Sequence, residues 1–283
     1  PVGDKLFSPY ETYIKTLYEL YKEELEEVDL GEDKTTSYEL FEFQKRNVQH
    51  LLRKLKKYGT AMLCDSVGLG KTITGIQVIK QYTDSDVGRK RVEIVCPKSL
   101  KKQWDAELAK SGLPNLRTTV LQNMQAIEDR KSIDELASVS LFVIDESHNL
   151  RKTSGTRYGA LLDWIRNNKK AHVLMLTATP INNELHDLSN QILLGTRGFG
   201  DVVTVTTVDP STGLSGTKDF VKAVEDLQKK IKRQMNQGQN VDYEEIKRVM
   251  SPIIRSIVVR RTRQGIEKEY GHLIIDGEEK KFP

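Results

Sequence analysis

Three short stretches hold residues whose types and spacing could do phosphate chemistry. The first is Asp65-Ser66-Val67-Gly68-Leu69-Gly70-Lys71-Thr72, directly after an apolar run and directly before residues of helical period. It ends in Gly-Lys-Thr, as a phosphate loop does. The glycines let the backbone wind tightly, so that successive N–H groups face phosphate oxygens, and the helix N-terminus adds a favourable dipole. In this reading Ser66, Val67, Gly68, Leu69 and Gly70 form the cradle of an ATP site, Lys71 neutralises the β and γ phosphates, and the Thr72 hydroxyl holds magnesium. Where the strict pattern has its first glycine, this chain has Asp65.

The second stretch is Asp145-Glu146-Ser147-His148, delivered by the apolar run Ser140 to Ile144. An acidic pair at the end of a strand has two separable tasks: Asp145 binds magnesium through its water shell, and Glu146 orients or deprotonates an attacking water. Such a pair could also simply cap the following helix. The third stretch is Leu176-Thr177-Ala178-Thr179-Pro180, again behind an apolar run.

The elements that would position these residues alternate in kind. Residues 60–64, 91–96, 118–121, 140–144 and 171–176 read as short buried strands; 43–57, 72–82, 100–110, 133–136 and 157–167 read as helices. That alternation predicts an α/β fold, a parallel sheet with helices on both faces, binding its ligands at the carboxyl ends of the strands. An amphipathic helix is expected over residues 10–30, with Gly31 as its stop. After about Leu194 the pattern breaks. Residues 195–217 read as irregular, with a short strand over 202–208, and helices follow over 219–233 and 243–259, the second kinked or restarted at Pro252.

The domain boundaries expected are a helical extension over 1–37, an ATP-binding lobe over 38–197, a mostly helical insertion over 198–256, and the end of the lobe with the start of a linker over 257–283. The 283 residues carry a formal charge of +4, but residues 1–40 alone hold 11 acids and 4 bases, so the remainder is basic. That balance permits nucleic-acid binding. Two cysteines, Cys64 and Cys96, sit in apolar runs and imply no disulfide framework, which favours an intracellular, reducing home, cytoplasmic or nucleoid-associated in a prokaryote. No apolar run approaches the roughly 18 to 20 residues needed to span a bilayer.

Taken in order, the phosphate loop, Asp-Glu-x-His and Thr-Ala-Thr-Pro resemble helicase superfamily two. Further strings narrow the resemblance to the Swi/Snf-type DNA translocases: Asp65 heading the phosphate loop (with Ser66 where the family has Glu), Val95-Cys96-Pro97-Lys98-Ser99-Leu100 with Gln103-Trp104, Thr179-Pro180-Ile181-Asn182-Asn183, His148-Asn149-Leu150-Arg151-Lys152 with Ser154 and Arg157, and Val259-Arg260-Arg261-Thr262-Arg263. Thr-Ala-Thr-Pro, rather than Thr-Gly-Thr-Pro, is closer to superfamily-two helicases in general.

The resemblance implies a RecA-like first motor lobe that binds ATP and Mg2+ and grips the backbone of double-stranded DNA without reading its sequence. It implies that Gln44 reads the adenine edge, although core packing would explain the aromatics beside it equally well. Lys98, Ser99 and Gln103 are candidate DNA contacts, with Asn149, Arg151 and Arg157 as secondary ones; His148, Thr177 and Thr179 would couple the nucleotide to movement. Trp104 reads as a packing residue. The family's arginine fingers lie on a second RecA-like lobe, so the chain is expected to be one lobe of a longer protein, binding ATP but hydrolysing it very weakly alone. Two other readings stand beside the translocase: a strand-separating DNA or RNA helicase, and a non-hydrolytic, nucleotide-gated binding scaffold. Intact Lys71, Thr72, Asp145 and Glu146 argue against the scaffold.

Overall fold

The computed structural model describes residues 40–270, apart from 85–89, 134–137, 183, 209–214, 238 and 240–241, together with 273–275 and 278–280. The helix expected over residues 10–30, and the extension 1–37 that contains it, lie outside the described residues.

Six parallel strands form the central sheet: β1 (Thr60–Leu63), β2 (Val92–Cys96), β3 (Thr118–Val120), β4 (Leu141–Asp145), β5 (His172–Leu176) and β8 (Val258–Val259), in the spatial order β3-β2-β4-β5-β1-β8. Period-two alternation divides the side chains cleanly. Ala61, Leu63, Ile94, Cys96, Leu141, Val143, Leu174 and Leu176 point into one core layer; Met62, Cys64, Val95, Phe142, Ile144, Val173 and Met175 point into the other. Both faces must then be covered, and both are.

The first layer is closed by α1 (Glu42–Tyr58), α2 (Lys71–Asp84) and α3 (Lys101–Lys110), through Val48, Leu51, Leu55, Ile76, Ile79, Trp104 and Leu108. The second is closed by α4 (Met124–Ile133), α5 (Thr156–Asn167) and α6 (His186–Gly195), and then by α7 (Phe220–Asn236) and α8 (Tyr243–Ile257). On α7 the buried residues Phe220, Ala223, Val224, Leu227 and Ile231 make one stripe facing this core. The elements after Leu194 thus share a core with the sheet. Between α6 and α7, β6 (Thr204–Val208) pairs antiparallel with β7 (Ser215–Asp219).

Several details differ from the sequence reading. Of the helix expected over 133–136, residues 134–136 lie outside the described residues; the helix described before them, Met124–Ile133, and α6 occupy, apart from Ile133, residues that sequence period did not mark as helical. Helix α8 contains Pro252 and runs through it as one helix. It ends at Ile257, and the two valines that follow leave helical geometry to become the sheet's edge strand, paired with Met62 and Leu63. The chain then enters α9 (Arg263–Tyr270). A small antiparallel pair, β9 (Leu273–Ile275) and β10 (Glu278–Lys280), follows.

Candidate nucleotide site

Strand register brings the three chemical stretches side by side. Leu63 of β1 pairs with Leu176 of β5, and Leu176 pairs with Asp145 of β4, so the phosphate loop, the acidic pair and Thr177 all leave the same edge of the sheet.

In the phosphate loop Gly68 and Gly70 have φ of 85° and 74°, the left-handed region that costs glycine least. A side chain on either would also collide: a Cβ on Gly70 would lie 2.6 Å from Gln44 Nε2, and one on Gly68 2.7 Å from Arg263 Nη2. Lys71 folds over the loop, its Nζ donating to the carbonyls of Asp65 at 2.9 Å and Ser66 at 3.4 Å. Helix α2 begins at Lys71, so its first backbone N–H groups face the loop.

Gln44, buried in the first turn of α1, donates from Nε2 to Leu69 O at 3.2 Å and accepts the Phe41 N–H through Oε1 at 3.1 Å. It therefore ties α1 to the loop. Phe43, Leu69 and Ile266 pack together behind it, with Phe41 stacked on Phe43 at 5.6 Å between ring centroids.

Asp65 does not face the cradle. Fully buried, it accepts from Asn47 Nδ2 at 2.7 Å and from the Arg261 backbone N–H at 2.6 Å. Burial pushes its carboxyl up to about 7, against the opposing pull of the Arg261 N–H and of the Lys71, Arg261 and Arg260 charges. The edge strand continues as a ladder beside it: Cys64 N–H donates to Val259 O at 2.7 Å and Ser66 N–H to Arg261 O at 3.2 Å. Two residues further on, Arg263 Nη2 donates to Val67 O at 3.1 Å. Glu269 of α9 holds Arg46 at 3.1 Å and Arg261 at 3.3 Å, fastening α1 to the same segment.

At the end of β4, Asp145 Oδ2 accepts the Trp104 indole N–H at 2.8 Å, and Oδ1 accepts the Glu146 N–H at 2.8 Å. Burial raises the Asp145 carboxyl above its ordinary value, while the Trp104 bond opposes the rise. Glu146 stands in the left-handed region, φ 50° and ψ 48°, a conformation uncommon outside glycine and concentrated at functional sites. Its carboxylate lies 3.0 Å from His148 Nδ1, and that hydrogen bond holds its pKa below the usual range, with the His148 and Lys71 charges adding to the effect.

His148 Nδ1 is also 3.2 Å from Thr177 Oγ1, which accepts the Thr179 N–H at 3.2 Å. Next to this contact Ser147 Oγ donates to Gln191 Oε1, and Gln191 Nε2 donates to Pro180 O at 2.7 Å. The second and third stretches are thus joined twice.

The candidate nucleic-acid residues form two groups. Asn149, Arg151 and Arg157 line a cleft of about 510 Å³ together with Lys152, Thr156 and Tyr158. Lys98, Ser99 and Gln103 are exposed at the start of α3 and do not line that cleft. Sequence reasoning passed over Asn47, the polar end of Trp104, and the contact of Arg263 with the phosphate loop. An asparagine on the apolar face of α1 and the ring N–H of a tryptophan destined for the core were the available signals, because both need partners once buried.

A glycine-cradled loop with its lysine, facing an Asp-Glu pair across a six-stranded parallel sheet, defines a P-loop, RecA-like nucleotide-binding lobe. By comparison, residues 43–139 match the model of the SNF2-related domain and residues 98–188 that of the DEAD/DEAH box helicase.

Among similar proteins, an uncharacterized ATP-dependent helicase, YqhH, of Bacillus subtilis is 30% identical over 152 residues, 49% of this chain and 26% of the relative. The SWI/SNF-related matrix-associated actin-dependent regulator of chromatin subfamily A-like protein 1 of Xenopus tropicalis is 28% identical over 61% of this chain and 19% of its own length. Helicase SWR1 of Saccharomyces cerevisiae is 23% identical over 89% of this chain and 18% of its own length. The chain therefore spans about a quarter or less of these relatives. The fold matches the SWI2/SNF2 ATPase core of Sulfolobus solfataricus, solved with double-stranded DNA, with a TM-score of 0.57 and 20% identity over 83% of this chain and 47% of that one. Among the described residues no helix is long and apolar enough to cross a membrane.

Proposed function

We propose that the chain is the first motor lobe of an ATP-dependent translocase on double-stranded DNA that remodels protein–DNA complexes. The observation that carries this reading is the line from Glu146 through His148 to Thr177, which connects the group beside the γ-phosphate position to the stretch after the next strand. A simple nucleotide-binding scaffold has no use for that connection.

In this reading Lys71 leaves the loop carbonyls to neutralise the β and γ phosphates, and the N–H groups of Ser66 to Gly70 cradle them. Gln44, already bonded to the loop, reads the adenine edge with its remaining donor and acceptor capacity. Glu146, held ionised by His148, accepts a hydrogen bond from the attacking water and aligns it. Thr72 and Asp145 would hold magnesium, which when bound supplies positive charge to the phosphate oxygens. The donors fit that ion: a hydroxyl and a carboxylate are hard oxygen ligands, and magnesium in such sites takes one or two protein ligands plus phosphates and waters.

A second RecA-like lobe completes the motor in this account by supplying arginine to the transition state. Lys98, Ser99 and Gln103, with Asn149, Arg151 and Arg157, follow the phosphate backbone. The motor works inside the cell, where buried Cys64 and Cys96 stay as thiols; burial, with the nearby Asp145 and Asp105 carboxylates adding to it, pushes the Cys96 thiol up to about 12.

The DEAD/DEAH match over residues 98–188 supports a second reading, strand separation. Triplex displacement and duplex unwinding by the full-length protein distinguish the two. Displacement of a third strand without unwinding is the expected result; ATP-driven unwinding selects the helicase, and neither activity rejects both.

A further inference from the structure

Trp104 is entirely buried, yet it carries out a polar task. Its indole N–H meets Asp145 Oδ2 at 2.8 Å, while the Glu146 backbone N–H meets the other oxygen at the same distance. Each oxygen of the carboxylate thus has one fixed donor, and turning the carboxylate about its Cβ–Cγ bond would break both.

The tryptophan is itself held. Its backbone N–H donates to Leu100 O at 2.9 Å in the first turn of α3, and its ring lies in the core layer where α2 approaches the sheet. That approach depends on Gly75, where a Cβ would lie 3.1 Å from Leu176 Cδ1 and 3.5 Å from Trp104 Cη2. If volume were all the site required, an apolar ring would fill it without bringing an N–H that must find a partner. Here the partner is the carboxylate of the acidic pair.

We propose that Trp104 is a positioning residue that fixes the plane of the Asp145 carboxylate for metal ligation, an inference that rests on Asp145 being the metal-side acid of the ATP site. Groups that orient a metal ligand from behind typically change metal affinity by about 10- to 100-fold when removed.

The test is a Mg2+ titration of fluorescent ATP-analogue binding to the whole chain. Trp104→Phe removes the N–H. Replacement of Trp104 by benzothienylalanine removes it while keeping the ring's shape, and decides the matter if the phenylalanine variant folds poorly. Leu108→Ala, on the same buried face, serves as the packing control. Both Trp104 variants are expected to need about tenfold more Mg2+ for half-maximal binding, with binding in EDTA unchanged, while Leu108→Ala lowers thermal stability and leaves the Mg2+ requirement in place. A folded Trp104 variant that titrates like the parent overturns the proposal, as does an equal shift in Leu108→Ala. Parent protein that binds the analogue without any Mg2+ dependence rejects the reading of the site itself.

Discussion

The backbone N–H of Arg261 donates to Oδ1 of Asp65 at 2.6 Å, joining the head of the phosphate loop to the chain that leaves the last strand of the sheet. The two residues are 196 positions apart. Because Asn47 holds the other oxygen, one buried carboxylate fastens α1, the phosphate loop and the segment after β8. Any movement of the loop at Asp65 is therefore felt directly by that segment.

The same carboxylate makes stability depend on pH. Its folded pKa, about 7, lies above the ordinary value of 3.8, so the folded state binds its proton more tightly than the unfolded chain does. The contribution is fully favourable below pH 3.8 and is lost as pH rises through 7. Asp65→Asn removes this titration but forfeits an acceptor. Urea unfolding at a series of pH values is expected to show the variant gaining on the parent by roughly 2 kcal/mol between pH 5 and pH 7. A constant difference across that range counts against a titrating Asp65.

Gly70→Ala is expected to weaken ATP binding by about tenfold or more, roughly 1.4 kcal/mol. The new Cβ would strain a positive φ and strike Gln44 Nε2, separating α1 from the loop. Gly112 also has positive φ, 72°, but has open space around it, so Gly112→Ala reports the backbone strain alone and leaves ATP affinity unchanged. Equilibrium binding of both variants checks the contrast.

Thr177→Val keeps shape while removing the hydroxyl that meets His148 Nδ1 and accepts from Thr179. In steady-state kinetics of the full-length protein, turnover is expected to fall roughly tenfold while ATP affinity is retained, a loss of the size of one hydrogen bond. Normal turnover would remove Thr177 from the coupling path.

That Lys71 and the glycines, the Asp-Glu pair and the Thr-Ala-Thr-Pro stretch would come together was legible in the sequence, because each directly follows an apolar run that reads as a strand. The strands Thr60–Leu63, Val92–Cys96, Leu141–Asp145 and His172–Leu176 were legible because strands buried on both faces are mostly apolar, and Thr118–Val120 because its three residues are all β-branched. Val258–Val259 was not. Two valines after a helical run carry no period of their own, and only pairing with Met62 and Leu63 makes them a strand. Helix α6 was obscured for a related reason, since its polar residues Asp187, Ser189 and Gln191 are buried and blur the apolar stripe that sequence reading follows. Asp65 read as part of a family pattern, but its partners, Asn47 and Arg261, come from distant stretches, and no local spacing could announce them.

The most direct test of the motor assignment is ATP hydrolysis by the full-length protein with and without duplex DNA, for the parent and for Glu146→Gln. Stimulation of the parent by duplex, with a Glu146→Gln variant that binds ATP normally and turns it over at least about a hundredfold more slowly, is the predicted result. Hydrolysis indifferent to duplex, or undiminished in Glu146→Gln, would contradict the account.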